Sequence, residues 1–190
     1  MRFYTGAVYD HWYEHYDNKA IRTVHDRYTR HLQEMVGVLP DRVLALAELD
    51  GVGDGLIVSV QHDRDHQILV LTMRCGDLTK GYYDLELTYE GATLLSEHER
   101  ILAYIARHQT LDLDGRYETA GELAYHEVDR ADNGKIEHRL LFHPGRWFSI
   151  QCDALFWRQI PRPNRDLPPL RDRYPDGPPD TQTPPEFQEP

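Results

Sequence analysis

Between Gly53 and Leu95 apolar and polar residues alternate in short runs separated by turn residues, a pattern that predicts a β-meander against which the rest of the chain packs. The first run, Leu56 to Gln61, is mostly apolar and is expected to be covered on both faces. His62-Asp63-Arg64-Asp65-His66 turns the chain, and Gln67 to Arg74 runs back. Tyr82 to Tyr89 alternates most clearly: Tyr83, Leu85, Leu87 and Tyr89 point one way, and Tyr82, Asp84, Glu86 and Thr88 the other. The first set is predicted to build core, and the second to stay free.

Helical periodicity flanks the meander. Tyr9, Trp12, Tyr13 and Tyr16 fall on one face of a helix over residues 7 to 17, and Ile21, Val24, Tyr28, Leu32 and Met35 form the stripe of a second helix ended by Gly37. Pro40 opens a short helix through Leu46. Ser96 with Glu99 reads as a capping box for a helix ending near His108, and residues 109 to 116 read as a loop. A second meander follows: Tyr117 to Asp129, then Lys135 to Phe142 after the Asp132-Asn133-Gly134 turn, then one long strand from Arg146 to Arg158. The fold class expected is α+β, with N-terminal helices packed on one antiparallel meander sheet. Residues 1–160 form the domain, and 161–190 form an extended or disordered tail holding ten of the twelve prolines.

Charge narrows the partners. A net charge of −11 argues against direct nucleic-acid binding, which needs clustered cations. Residues 51–100 hold nine Asp or Glu against four Lys or Arg, so a partner with a basic surface is steered toward the first meander. No run reaches the roughly 18–20 apolar residues of a membrane span, and no signal core opens the chain, so a soluble, cytoplasmic protein is expected. Cys75 and Cys152 form no CxxC pair and read as small buried hydrophobes, with a bridge between them left open.

Candidate chemistry lies in three groups. His11 and His15 with Glu14 stand at i, i+3 and i+4 but lack the HExxH order of a metalloprotease; exposed helix histidines are the plain alternative. His62, Asp63, Asp65 and His66 are the densest set of potential ligands, against which stands an ordinary acidic turn. Asp84 and Glu86, on one sheet face, suit an acid pair for hydrolysis or a solvated surface. Neither a nucleophile elbow, a Walker loop nor a dinucleotide fingerprint is present, and GVGDG lacks the third glycine that phosphate binding requires. No cofactor and no metal are expected.

The stretches GDGLIVSV, LTMRCGDLTKGYYDLELTYEGATLL and IEHRLLFHPGRWFSIQCDAL resemble small bacterial proteins of unassigned function and, more loosely, immunity proteins that neutralise secreted bacterial toxins. The resemblance spans residues 1–160 and carries no catalytic residue. The acidic and aromatic first meander, taken with this resemblance, leads to the expectation of protein binding: an immunity-like inhibitor, or antitoxin, meeting a basic partner through a surface of Asp63, Asp65, Tyr82, Asp84 and Glu86. The alternatives are a metal-dependent or acid–base hydrolase and an assembly subunit.

Overall fold

In the computed structural model, which describes residues 1–8, 18–108, 121–143 and 145–168, the first meander forms as β1 (Leu56–Asp63), β2 (Ile68–Asp77) and β3 (Gly81–Glu90), paired antiparallel in chain order. Alternation decides their faces. Leu69, Leu71, Met73, Leu85, Leu87 and Tyr89 are buried on the inner face, as the pattern predicts. The β2–β3 connection depends on Gly76, at φ +94°, where an added Cβ would run into the backbone of Gly81.

The second meander gives β4 (Leu123–Arg130), β5 (Ile136–Phe142) and β6 (Arg146–Cys152), and here the expectation of one sheet fails. These strands form a separate three-stranded sheet, and the long strand expected over 146–158 breaks at Asp153. The remainder, β7 (Ala154–Arg162), crosses to pair with β3, giving a four-stranded sheet in the order β1-β2-β3-β7. Parity shows the break: Phe148, Ile150 and Cys152 are buried, then Leu155 rather than Ala154. Asp153 sits against Gly91, whose missing side chain makes the room, and the Asp153 amide donates to the Glu90 carbonyl at 2.8 Å. The strand thereby hands the chain from one sheet to the other, past the domain boundary expected at residue 160.

The helices are α1 (Asn18–Glu34), α2 (Asp41–Ala47) and α3 (Ser96–His108). On α1, Val24, Tyr28 and Leu32 are buried at four-residue spacing, and Tyr28 Oη accepts a hydrogen bond from the Val128 amide at 2.7 Å, tying the helix to β4. The helix α2 packs against β4 and β7 through Val43 and Leu46, and α3 packs against β6 and β1. The helices are therefore distributed over both sheets rather than layered on one. The capping box does not form, because the Glu99 carboxylate instead pairs with Arg64 and with His62 at 3.5 Å, pinning α3 to the β1–β2 turn. Inner residues of both sheets join one hydrophobic core, in which Phe142 and Phe148 stack at 5.8 Å.

Cys75 and Cys152 are both free and buried, and burial pushes each thiol up to about 12, which leaves them inert as nucleophiles at neutral pH. The helical face expected over 7–17, including His11, Glu14 and His15, lies mostly outside the described residues, as do the 109–116 loop, the start of the strand expected from Tyr117, and the tail beyond residue 168.

Candidate functional site

The outer face of the four-stranded sheet carries the residues singled out from sequence. Register places Arg74, Asp84 and Ile160 side by side, and Thr72, Glu86 and Arg158 in the next row. Tyr82, Glu86 and Thr88 are partly accessible on this face, whereas Asp84 is only 1% exposed. Its carboxylate accepts hydrogen bonds from Arg74 and from Arg162 at 2.5 Å, and Arg74 also donates to the carbonyls of Asn164 (3.1 Å) and Asp166. Asp84 is thus sealed under two guanidinium groups and a passing segment, which corrects the expectation that it stays free. Glu86 pairs with Arg158 at 2.7 Å.

Asp63 and Asp65 are exposed in the β1–β2 turn. There Asp63 accepts the His66 amide at 3.1 Å and His66 Nδ1 at 2.8 Å, contacts that hold its carboxyl below the usual carboxylate range. Because Asp63 lies in the row of Ile68 and Glu90, at the opposite end of β3 from Tyr82, the two stand about 27 Å apart at the rise of an antiparallel strand. The five residues therefore spread from the β1–β2 turn to the opposite end of β3 instead of clustering. Nor is the face as acidic as composition suggests: Arg158 and Arg162 enter it on β7, the strand that the sequence pattern placed elsewhere. Among the described residues no three His, Cys, Asp or Glu side chains converge on a metal position; His62 turns to Glu99 while His66 turns to Asp63.

Sequence reasoning missed a polar system inside the second sheet. On one face of β4, the Glu127 carboxylate, fully buried, accepts from the backbone amides of Arg2 (2.8 Å), Phe3 (2.8 Å) and Tyr4 (2.6 Å) and from Arg139 (3.3 Å). Two residues on, Asp129 meets Arg2 at 3.0 Å, His31 at 2.9 Å and Arg139 at 3.3 Å. Burial works against the charge on Asp129, but these hydrogen bonds outweigh it and hold the carboxyl below its ordinary value. The signal was present in Tyr125-His126-Glu127-Val128-Asp129, where polar groups occupy both faces of a predicted strand.

On the opposite face, Tyr89 Oη lies 2.8 Å from His138 Nδ1, and His138 Nε2 lies 3.1 Å from His126 Nδ1. Tyr89 and His138 are completely buried, and the chain of rings ends at His126, part-exposed in a cleft of about 510 Å³. Tyr4, Tyr28, Leu32, the 47–53 segment, Leu123 and Tyr125 line the same cleft. Tyr4 and Tyr125 stack at 4.4 Å and 5°, and Tyr4 Oη is 3.1 Å from His25 Nδ1.

Burial lowers the pKa of His126 to about 4, and burial together with the charge of His126 lowers that of His138 well below the ordinary 6.5. Above pH 7 both rings are neutral in folded and unfolded chains. Below about 6.5 the unfolded chain takes up protons that the folded chain refuses, so stability falls, and for His126 the loss continues until about pH 4. Urea unfolding between pH 7.5 and 4.5 is expected to show a decline of up to about 1.4 kcal/mol per pH unit for each histidine. His138→Phe is expected to flatten that slope, and a slope unchanged in that variant would contradict the assignment.

Comparison with models of known protein families, with characterised proteins and with solved structures finds no match to this chain.

Proposed function

We propose that the chain is a protein-binding inhibitor of the immunity type, which docks the outer face of the four-stranded sheet on a partner such as a secreted toxin. One observation carries the reading: Leu69, Leu71, Met73, Leu85, Leu87, Tyr89 and Leu155 are buried on the inner face, while the outer face keeps Tyr82, Glu86, Thr88, Phe156, Arg158 and Ile160 at least partly accessible. Phe156, 39% exposed, has the Arg42 guanidinium over its ring, 3.9 Å from the centroid. A fixed aromatic is a low-entropy anchor, and charges already paired within the face set register without long side chains having to be ordered on docking. Basic groups of the partner fit best at the Asp63–Asp65 turn, where the carboxylates are exposed and free of guanidinium partners.

The test is quantitative capture. Wild-type chain and a Tyr82→Ala/Phe156→Glu variant are immobilised in parallel and exposed to the secreted and cellular proteins of the source organism, and the affinity of any stoichiometric partner is then measured by calorimetry. A loss of about 2–3 kcal/mol in the variant, roughly 30- to 150-fold, is expected. Asp63→Lys/Asp65→Lys is expected to slow association and to reduce its salt dependence. Equal affinity across these variants and wild type would overturn the reading.

A further inference from the structure

The cleft at the end of the histidine chain has a polarity that hydrogen-bond bookkeeping fixes. Tyr89 is fully buried and, among the described residues, its hydroxyl meets only His138, so its proton goes to His138 Nδ1; the alternative strands a buried donor. His138, also fully buried and without a carboxylate partner, is neutral and so carries its own proton on Nε2, which donates to His126 Nδ1. With Nδ1 committed as an acceptor, His126 holds its proton on Nε2, the nitrogen left for the cleft. The neutral ring is a donor there and not a base. Tyr28 adds a second donor: its oxygen accepts the Val128 amide, which leaves the hydroxyl proton for the cleft it lines.

The walls complete the specification. Tyr4 and Tyr125 supply aromatic surface with Leu32 and Leu123 beside them, while Glu48 and Asp50 stand at the opening. The two hydroxyl and imidazole donors disfavour a cation beside them, and the exposed Glu48 carboxylate disfavours an anion, Asp50 being paired with Lys80. We propose that this cleft is a binding site for a small, uncharged, planar molecule presenting a carbonyl-type acceptor, such as an aromatic amide or a nucleobase edge, to His126 Nε2–H and Tyr28 O–H. The site lies apart from the sheet face proposed for partner docking, so each stands or falls without the other.

Benzamide, benzoate and benzamidine share a ring and differ only in the head group, which makes them the probes. Titration of full-length ¹⁵N-labelled protein is expected to give saturable benzamide binding with a dissociation constant on the order of 1 mM, shifting His126 and residues near Tyr28. Benzoate and benzamidine are expected to bind roughly tenfold or more weakly. His126→Phe is expected to remove benzamide binding, and His126→Gln, which keeps an N–H donor, to restore part of it. Independently of any variant's folding, long-range ¹H–¹⁵N spectra of the wild-type histidines are expected to show His126 protonated on Nε2. A proton on Nδ1 of His126, or equal binding of all three probes, would overturn the proposal, as would absence of benzamide binding in wild type.

Discussion

Replacing Glu127 by alanine is expected to cost about 3–5 kcal/mol. The carboxylate is wholly out of water, yet three consecutive backbone amides and the Arg139 guanidinium converge on it. Removing it strands those donors in a site that water reaches poorly, so the cost is that of several orphaned groups and not of one hydrogen bond. The N-terminal segment is held to β4 by these contacts, with Arg2 also paired to Asp129, so the variant is expected to release residues 1–5 along with the global loss. Glu127→Gln keeps one acceptor oxygen and is expected to lose clearly less than alanine. Chemical denaturation gives both values, and amide exchange at Phe3 and Tyr4 reports the local release; an alanine variant within 1 kcal/mol of wild type would contradict the role assigned to Glu127.

Asp84→Ala is expected to follow closely, at about 3 kcal/mol. Arg74 is also buried and would be left as an uncompensated cation beneath the segment carrying Asn164 and Asp166, while Arg162, more exposed, recovers hydration. The sign of a compensating change is the sharper check. Arg74→Met with Asp84→Leu removes both charges at similar volume and is expected to regain most of the loss, because an apolar pair escapes the desolvation that the ion pair incurs. If the double variant were as unstable as the single one, the pair would be contributing shape or backbone support that charge does not explain.

These two sites mark where the sequence was and was not legible. Strict alternation in β3 predicted its inner face correctly, because a one-residue slip would expose Leu85, Leu87 and Tyr89 together. The α1 stripe and the three strand signals of the second meander were legible for the same reason. The handover at Asp153 was not, since it needs a shift of one residue in an otherwise continuous apolar–polar run and room left by Gly91 on a distant turn. That error carried over to the site. With the start of β7 read as the end of the second meander's third strand, Arg158 and Arg162 were absent from the outer face, and Asp84 was read as free acid instead of a buried ion-pair partner. The histidine chain joins β3 to β4 and β5, and nothing local marks Tyr89, His126 and His138 as neighbours.

The docking surface itself is most directly tested by hydrogen–deuterium exchange of the chain with and without the protein it captures. Protection is expected in peptides from β3 and β7, spanning Tyr82 to Thr88 and Phe156 to Arg162, with the 47–53 segment and the cleft end of β4 unchanged. Protection confined to the cleft or to α1, with the outer sheet face exchanging as in the free chain, would contradict the assignment of that face to partner binding.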